Sequence, residues 1–395
     1  MLGDGLAILA IPLMVLQLSR SPLLAVLASL PGSAGYLAAG LPAGVLADRL
    51  DPWQMLIAAD VLRALIFLAL FALTGSNAIS AWLILLLAFA AGVLTVFGDT
   101  ALTIAVRDVY AGPRLVSVNS WLEAANQVGQ IIGPGAAGLL AAGGLLHLSL
   151  LLDALTFLVS LVTLTAVRQR GQARGTEPAF ARGVRAELVQ GLRYLAATRL
   201  LLTLLCFMLV LNLCLGADKL IIFMAKSALG LPAAQIGLVV TAGGVGGLLG
   251  AAGTTLLVRR AGPLAGLILC SGASGIALIV VSAATTMPVL LAGNLLYTWA
   301  VVAASVTMRA LRQALVPRAL LGRVTASWRL GGQSVTLAGA VLAGALASLL
   351  GGHPRPVFAG AGLLTLLTVG VAWLTGLRQE DASAVAVTLF GPQRQ

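Results

Sequence analysis

Among the carboxylates inside long apolar runs of this chain, Asp4, Glu123 and Asp218 are the candidates for proton exchange. Ionisable groups within such runs are expensive, and they usually mark proton or ion pathways. Glu123 is the first choice for a group that exchanges a proton during transport. It shares a polar stripe with Asn126, Gln127 and Gln130, whose spacings of three and four put them on one side of a helix. That side should face a central cavity rather than lipid. Further along, Arg329, Gln333 and Thr336 repeat the arrangement, and Glu123 and Arg329 occupy corresponding positions where they could pair. Asp4 and Asp218 each open one half of the chain. Asp4 is the second choice for the proton carrier, whereas Asp218 adjoins Lys219 and could form only a local ion pair. Asp60 and Arg63, three apart, are expected to pair structurally. Asn294, Tyr297 and Trp299 could line a pocket for an amphipathic molecule, although aromatics at such positions also serve ordinary packing.

A second kind of chemistry is mechanical. Residues Gly44 to Asp51 read Gly-Val-Leu-Ala-Asp-Arg-Leu-Asp in a short gap between two apolar runs. Asp48 and Arg49 there can hold neighbouring helix ends together and release them, as a gate requires. Asp99, Arg107 and Asp108 could complete the same charge network. Chemistry of other kinds finds no residues. Cys206, Cys214 and Cys270 lie in apolar runs without metal spacing, and His147 and His353 are far apart. No Gly-x-x-x-x-Gly-Lys-Ser/Thr loop occurs. A metal site, a cofactor and an enzymatic role are therefore not expected, and a non-transporting membrane sensor is the remaining alternative outside transport.

The elements that hold these residues follow from composition. The 395 residues are 59% hydrophobic and only 9% charged, which a soluble globule of this size would not tolerate. Apolar runs of about 20 residues indicate helices rather than barrel strands. Twelve spans are expected, near 1–19, 23–47, 54–74, 79–105, 115–143, 147–167, 200–225, 232–258, 263–283, 287–311, 321–350 and 356–377. The long polar gap 168–199 carries seven arginines and an apolar spacing suited to an amphipathic surface helix, and 379–395 reads as a disordered tail. Placing that gap in the cytoplasm puts about nineteen basic residues there against Arg20, Lys226 and Arg355 outside. The net charge of +11 is thus explained by topology, with both termini cytoplasmic, rather than by nucleic acid. Val118 to Gln127 aligns with Val324 to Gln333, and without a gap Gly133 meets Gly339 and Gly138 meets Gly344. The expected fold is all-α, with two pseudo-symmetric six-helix bundles at 1–167 and 200–378.

The Gly44–Asp51 stretch resembles the loop between the second and third helices of the major facilitator superfamily, with Gly44, Leu46, Ala47, Asp48 and Arg49 matching. Asp51, Pro52, Trp53 and Gln54 depart from the pattern. Gly129-x-x-x-Gly133-Pro134-x-x-x-Gly138 resembles the fifth-helix motif of antiporters in that superfamily. Gly3-Asp4 is similar to the first helix of many of its exporters, which usually carry a basic segment before it. Asp153-Ala-Leu-Thr-Phe157, Leu311-Arg-Gln-Ala-Leu-Val-Pro317 and Gly322-Arg323-Val324 resemble the branch containing macrolide-efflux proteins and the enterobactin exporter. The resemblance implies a proton-coupled exporter of amphipathic drugs or small metabolites, working by alternating access. It implies a monomer in a bacterial inner membrane whose partners are substrate, protons and lipid. A dedicated siderophore exporter is the alternative within that family.

Overall fold

The computed structural model describes residues 2–47, 50–75, 79–109, 113–168, 193–195, 197–316 and 318–374. Among these the secondary structure is entirely helical. In order, the helices are α1 (Leu2–Ser19), α2 (Pro22–Leu27), α3 (Pro31–Ala47), α4 (Pro52–Gly75), α5 (Ala81–Val109), α6 (Pro113–Ala142) and α7 (Leu148–Arg168). They continue as α8 (Arg199–Leu215), α9 (Ala233–Ala261), α10 (Pro263–Ala283), α11 (Met287–Leu315), α12 (Arg318–Leu349) and α13 (Arg355–Leu374). Among the described residues, nine helical spans are long and apolar enough to cross a membrane, and α1 and the second half of α6 add shorter apolar stretches.

The second expected span is not one helix. α2 is a short piece capped by Ser21, whose hydroxyl accepts from the Leu24 amide at 3.4 Å. The chain then turns through Ala28–Leu30 before Pro31 opens α3. Proline disfavours a helical conformation in the residue before it, so the apolar run breaks where its hydrophobicity does not.

α8 also runs on in an unusual way. It tightens into a 3₁₀ segment at Gly216–Leu220, passes through one α-helical stretch at Ile221–Phe223, and widens into a π turn at Met224–Ala228. Together these make a continuous apolar span, Leu200–Ala228.

The chain forms two compact units, Met1–Ala181 with Leu231–Thr241, and Arg182–Gly230 with Ala242–Gln395. Lipid tails are as apolar as leucine, so helices in a bilayer are held by close packing rather than by hydrophobic exclusion. Glycine pairs supply that packing. In the first unit, a side chain at Gly5 would strike the Gly129 carbonyl, and one at Gly133 would strike the backbone of Gly5 and Leu6. α1 and α6 therefore cross backbone to backbone. Also in the first unit, Gly138 packs on Gly237 at the start of α9, where a Cβ would come within 2.9 Å of the Gly237 Cα. Thr241 donates from its hydroxyl to the Ile131 carbonyl at 3.0 Å beside it. In the second unit, Gly216 meets Gly339 and Ala340, and Gly339 meets Leu213, so α8 and α12 cross in the same manner. Gly133 and Gly339 are the repeat partners aligned by sequence, and they make equivalent crossings within their own units.

Candidate functional site

The first unit gathers its charges around α1, α4 and α7. Arg63 on α4 forms an ion pair with Asp4 on α1. Its guanidinium lies 4.1 Å above the Phe157 ring of α7, which in turn stacks on Phe67 with centroids 5.9 Å apart. A cation over an aromatic face contributes about 1–2 kcal/mol when desolvated, so Arg63 is held from two sides.

Asp60 does not pair with Arg63 as its spacing suggests. Its Oδ2 accepts from the Ser160 hydroxyl of α7 at 2.6 Å. A spacing of three puts two residues on one helix face, but it does not choose between a neighbour on that helix and a partner 59 residues away.

Asp153, one turn before Phe157, is the surprise. It is 0% exposed, and its Oδ2 is buried with no hydrogen-bond partner among the described residues. Its other oxygen accepts a long contact of 3.5 Å from Thr156, whose hydroxyl also bonds the Asp153 carbonyl at 2.8 Å. Gly3 explains how the carboxylate fits: any side chain there would collide with Asp153 and Thr156. The Gly3-Asp4 pair thus does two things. The glycine clears space over Asp153, and the aspartate takes Arg63. Arg63 also leaves its Nε buried without a partner among the described residues.

Arg63 thus contacts Asp4, and the charges of Asp4 and Arg63 reach both Asp60 and Asp153. Among the described residues no group of His, Cys, Asp or Glu is gathered closely enough to hold a metal ion. Sequence inspection picked out Asp4 but met Asp153 only inside a family-like segment. A lone aspartate at a helix start carries no local signal of burial, and the glycine that accommodates it is 150 residues away.

The remaining predicted residues are more dispersed. Asn126 is half-buried and Gln130 exposed on α6, while the side chains of Glu123 and Gln127 lie outside the described residues. So do those of Gly44's neighbours Asp48 and Arg49, and of Arg107 and Asp108; Asp99 is exposed on α5. Gly129, Gly133, Pro134 and Gly138 all sit in the α1 and α9 contacts described above. In the second unit, Asp218 and Lys219 form an ion pair at 3.7 Å, the local alternative foreseen for them. Arg329 is exposed and Gln333 half-buried on α12, and Thr336 donates to the side-chain Oδ1 of Asn212 at 3.2 Å. Asn294 is 3% exposed where α11 packs on Gly243 of α9, and the Trp299 backbone packs on Gly250. Tyr297 is buried between them in sequence, its hydroxyl without a partner among the described residues and within electrostatic reach of Asp218 and Cys214.

The family model of the Major Facilitator Superfamily matches residues 1–225. This chain belongs to the Major Facilitator Superfamily. It is 27% identical over 391 residues to the multidrug efflux pump Tap of Mycolicibacterium fortuitum, covering 97% of this chain and 94% of that protein. Among solved structures it is similar to a bacterial homologue of the iron transporter ferroportin in an inward-facing state. That match has a TM-score of 0.72 and 20% identity, over 96% of each chain. The nucleoside transporter NupG matches with a TM-score of 0.70 and 13% identity, over 96% of this chain and all of that one. At these identities the structures establish a shared fold. A superfamily of transporters with several membrane-crossing helices makes the protein a multi-pass membrane transporter rather than an enzyme.

Proposed function

We propose that the protein is a proton-coupled exporter of amphipathic cations, exchanging inward-moving protons for outward-moving substrate by alternating access. The observation that carries this reading is the cluster of Asp4, Asp60 and Asp153 around the single guanidinium of Arg63. One cation balances one carboxylate. Two negative charges remain, and an unpaired carboxylate out of water costs several kcal/mol. Protons are the simplest ligands that relieve it. Asp4, paired with Arg63 yet 38% exposed at its side chain, is the carboxylate that a cationic substrate can reach. Glu123 remains a second carrier on α6, where Asn126, Gln127 and Gln130 are the first unit's candidates for substrate contact; Arg329 and Gln333 on α12 are the second unit's. The similarity to a multidrug efflux pump over nearly the full chain supports export of amphipathic molecules.

The sorted arginines support placement in a bacterial inner membrane with both termini cytoplasmic. Asp48, Arg49, Asp99, Arg107 and Asp108 form the proposed cytoplasmic gate of a monomer. The test is reconstitution in vesicles under an imposed proton gradient. Adding tetraphenylphosphonium, ethidium or a macrolide should trigger proton movement and substrate accumulation together, and an uncoupler should abolish both. Accumulation that survives the uncoupler would sink proton coupling.

A further inference from the structure

The two orphaned groups of the cluster complement each other. Arg63 Nε is a buried donor without an acceptor, and Asp153 Oδ2 is a buried acceptor without a donor, among the described residues. Their helices, α4 and α7, are packed together through Asp60–Ser160 and through Arg63 over Phe157. Leaving either group unsatisfied costs free energy that one contact between them would recover. Asp153 is fully buried, whereas Asp4 keeps 38% of its side chain accessible. Among the described residues, the charged groups within electrostatic reach of Asp153 are Asp4 on α1 and Arg63 on α4. The side chain of Glu123 on α6 lies outside the described residues.

We propose that Asp153 stores the exchanged proton, and that Arg63 expels it by moving from Asp4 to Asp153 when a cationic substrate takes Asp4. The inference rests on the proton-coupled reading above. Before binding, Asp4 is an anion paired with Arg63 and Asp153 is a neutral acid. The cation competes with Arg63 for the accessible Asp4. Arg63, released, turns its unused donor to Asp153, the O–H bond of that acid breaks, and the proton leaves to water. Afterwards Asp4 pairs with substrate, Arg63 with the Asp153 anion, and one proton has been released for one cation bound. Phe157 keeps the guanidinium between the two positions, since a cation over a ring face is held without a fixed hydrogen-bond direction. Return of a proton to Asp153 frees Arg63 to reclaim Asp4 and displace the cation. Proton and substrate thus exclude each other without sharing a carboxylate.

The test measures tetraphenylphosphonium binding to the purified full-length protein across a pH series, with proton release followed in weakly buffered solution. In the wild type, affinity should rise with pH by up to about tenfold per unit, as release of one proton requires. Asp153→Asn should bind the cation with a pH-independent affinity and release no proton. Asp218→Asn, in the second unit, should keep the wild-type slope. If Asp153→Asn keeps the slope, the proposed exchange is wrong while proton coupling stands. A wild type that binds the cation without any slope overturns proton coupling itself. Infrared difference spectra of the wild type serve if Asp153→Asn does not fold. Cation binding should remove the carbonyl stretch of a protonated carboxylic acid, and its persistence would overturn the exchange.

Discussion

The two units share a crossing and differ in what surrounds it. In the first, α1 and α6 touch through Gly5, Gly129 and Gly133, α1 also carries Asp4, and the flanking helices carry Asp60, Arg63 and Asp153. In the second, α8 and α12 touch through Gly216 and Gly339. There the buried polar groups of α8, α10 and α13 are neutral: Cys214 bonded to Thr365, and Cys270, Ser271 and Ser274. Backbone contact has one steric solution, so both units keep glycine at the crossing. Charge has no such constraint. A buried ion is retained only where it does something, because apolar replacement is often neutral or stabilising. The proton chemistry proposed above falls in the first unit, while the second carries the Asp218–Lys219 ion pair beside neutral hydrogen bonds.

The largest effect should come from Arg63→Ala, which strands Asp4 and removes the cation over Phe157. It should lower stability by about 3–5 kcal/mol, read as a fall in the thermal transition of detergent-purified protein. Ser271→Ala in the second unit removes only an unpartnered hydroxyl and should stay within about 0.5 kcal/mol. Equal effects would end the contrast. Next, Gly133→Leu and Gly339→Leu should each destabilise by about 1–3 kcal/mol or more through overpacking. They should do so alike, and a harmless member of the pair would show that the crossings are not equivalent. Asp4→Asn should slow proton-driven transport at least about tenfold, a barrier change near 1.4 kcal/mol, with little change in the thermal transition. Asp218→Asn in the second unit should leave the transport rate within about twofold, since an accessible ion pair contributes at most about 1 kcal/mol. The smallest change is Ser160→Ala, which takes one donor from Asp60 at a cost of about 1 kcal/mol. Its transport rate should hold while its thermal transition drops slightly.

Much of the fold was legible because membrane helices announce themselves by length and apolarity. The span expected at 263–283 coincides with α10, and most others shift by a few residues at their ends, while the second is split in two. The glycine repeat was legible for a similar reason, since close helix contact admits few residue types. The break before Pro31 was written in the proline but hidden by the continuous apolar run around it. The site was legible only in part. Asp4 stood out by its position, while Arg63 was matched to its sequence neighbour Asp60 instead of to Asp4. Partner choice across helices depends on how α1, α4 and α7 are laid together, and no local spacing encodes that. The predicted gate at Asp48 and Arg49 falls outside the described residues.

The uneven winding after α8 has a geometric consequence. A 3₁₀ turn advances about 120° per residue and a π turn correspondingly less than the 100° of an α-helix. The overwound Gly216–Leu220 and the underwound Met224–Ala228 therefore shift azimuth in opposite senses, by roughly a quarter of a circle each. The helix leaves the segment in nearly its entering phase, while Ile221, Ile222 and Phe223 are rotated against both flanks. Five consecutive side chains, Ile221 to Ala225, are all buried at 0–8% exposure, so this stretch is enclosed on every side. The paired faults behave as a screw dislocation and its inverse, confining the twist to one short stretch of a straight rod.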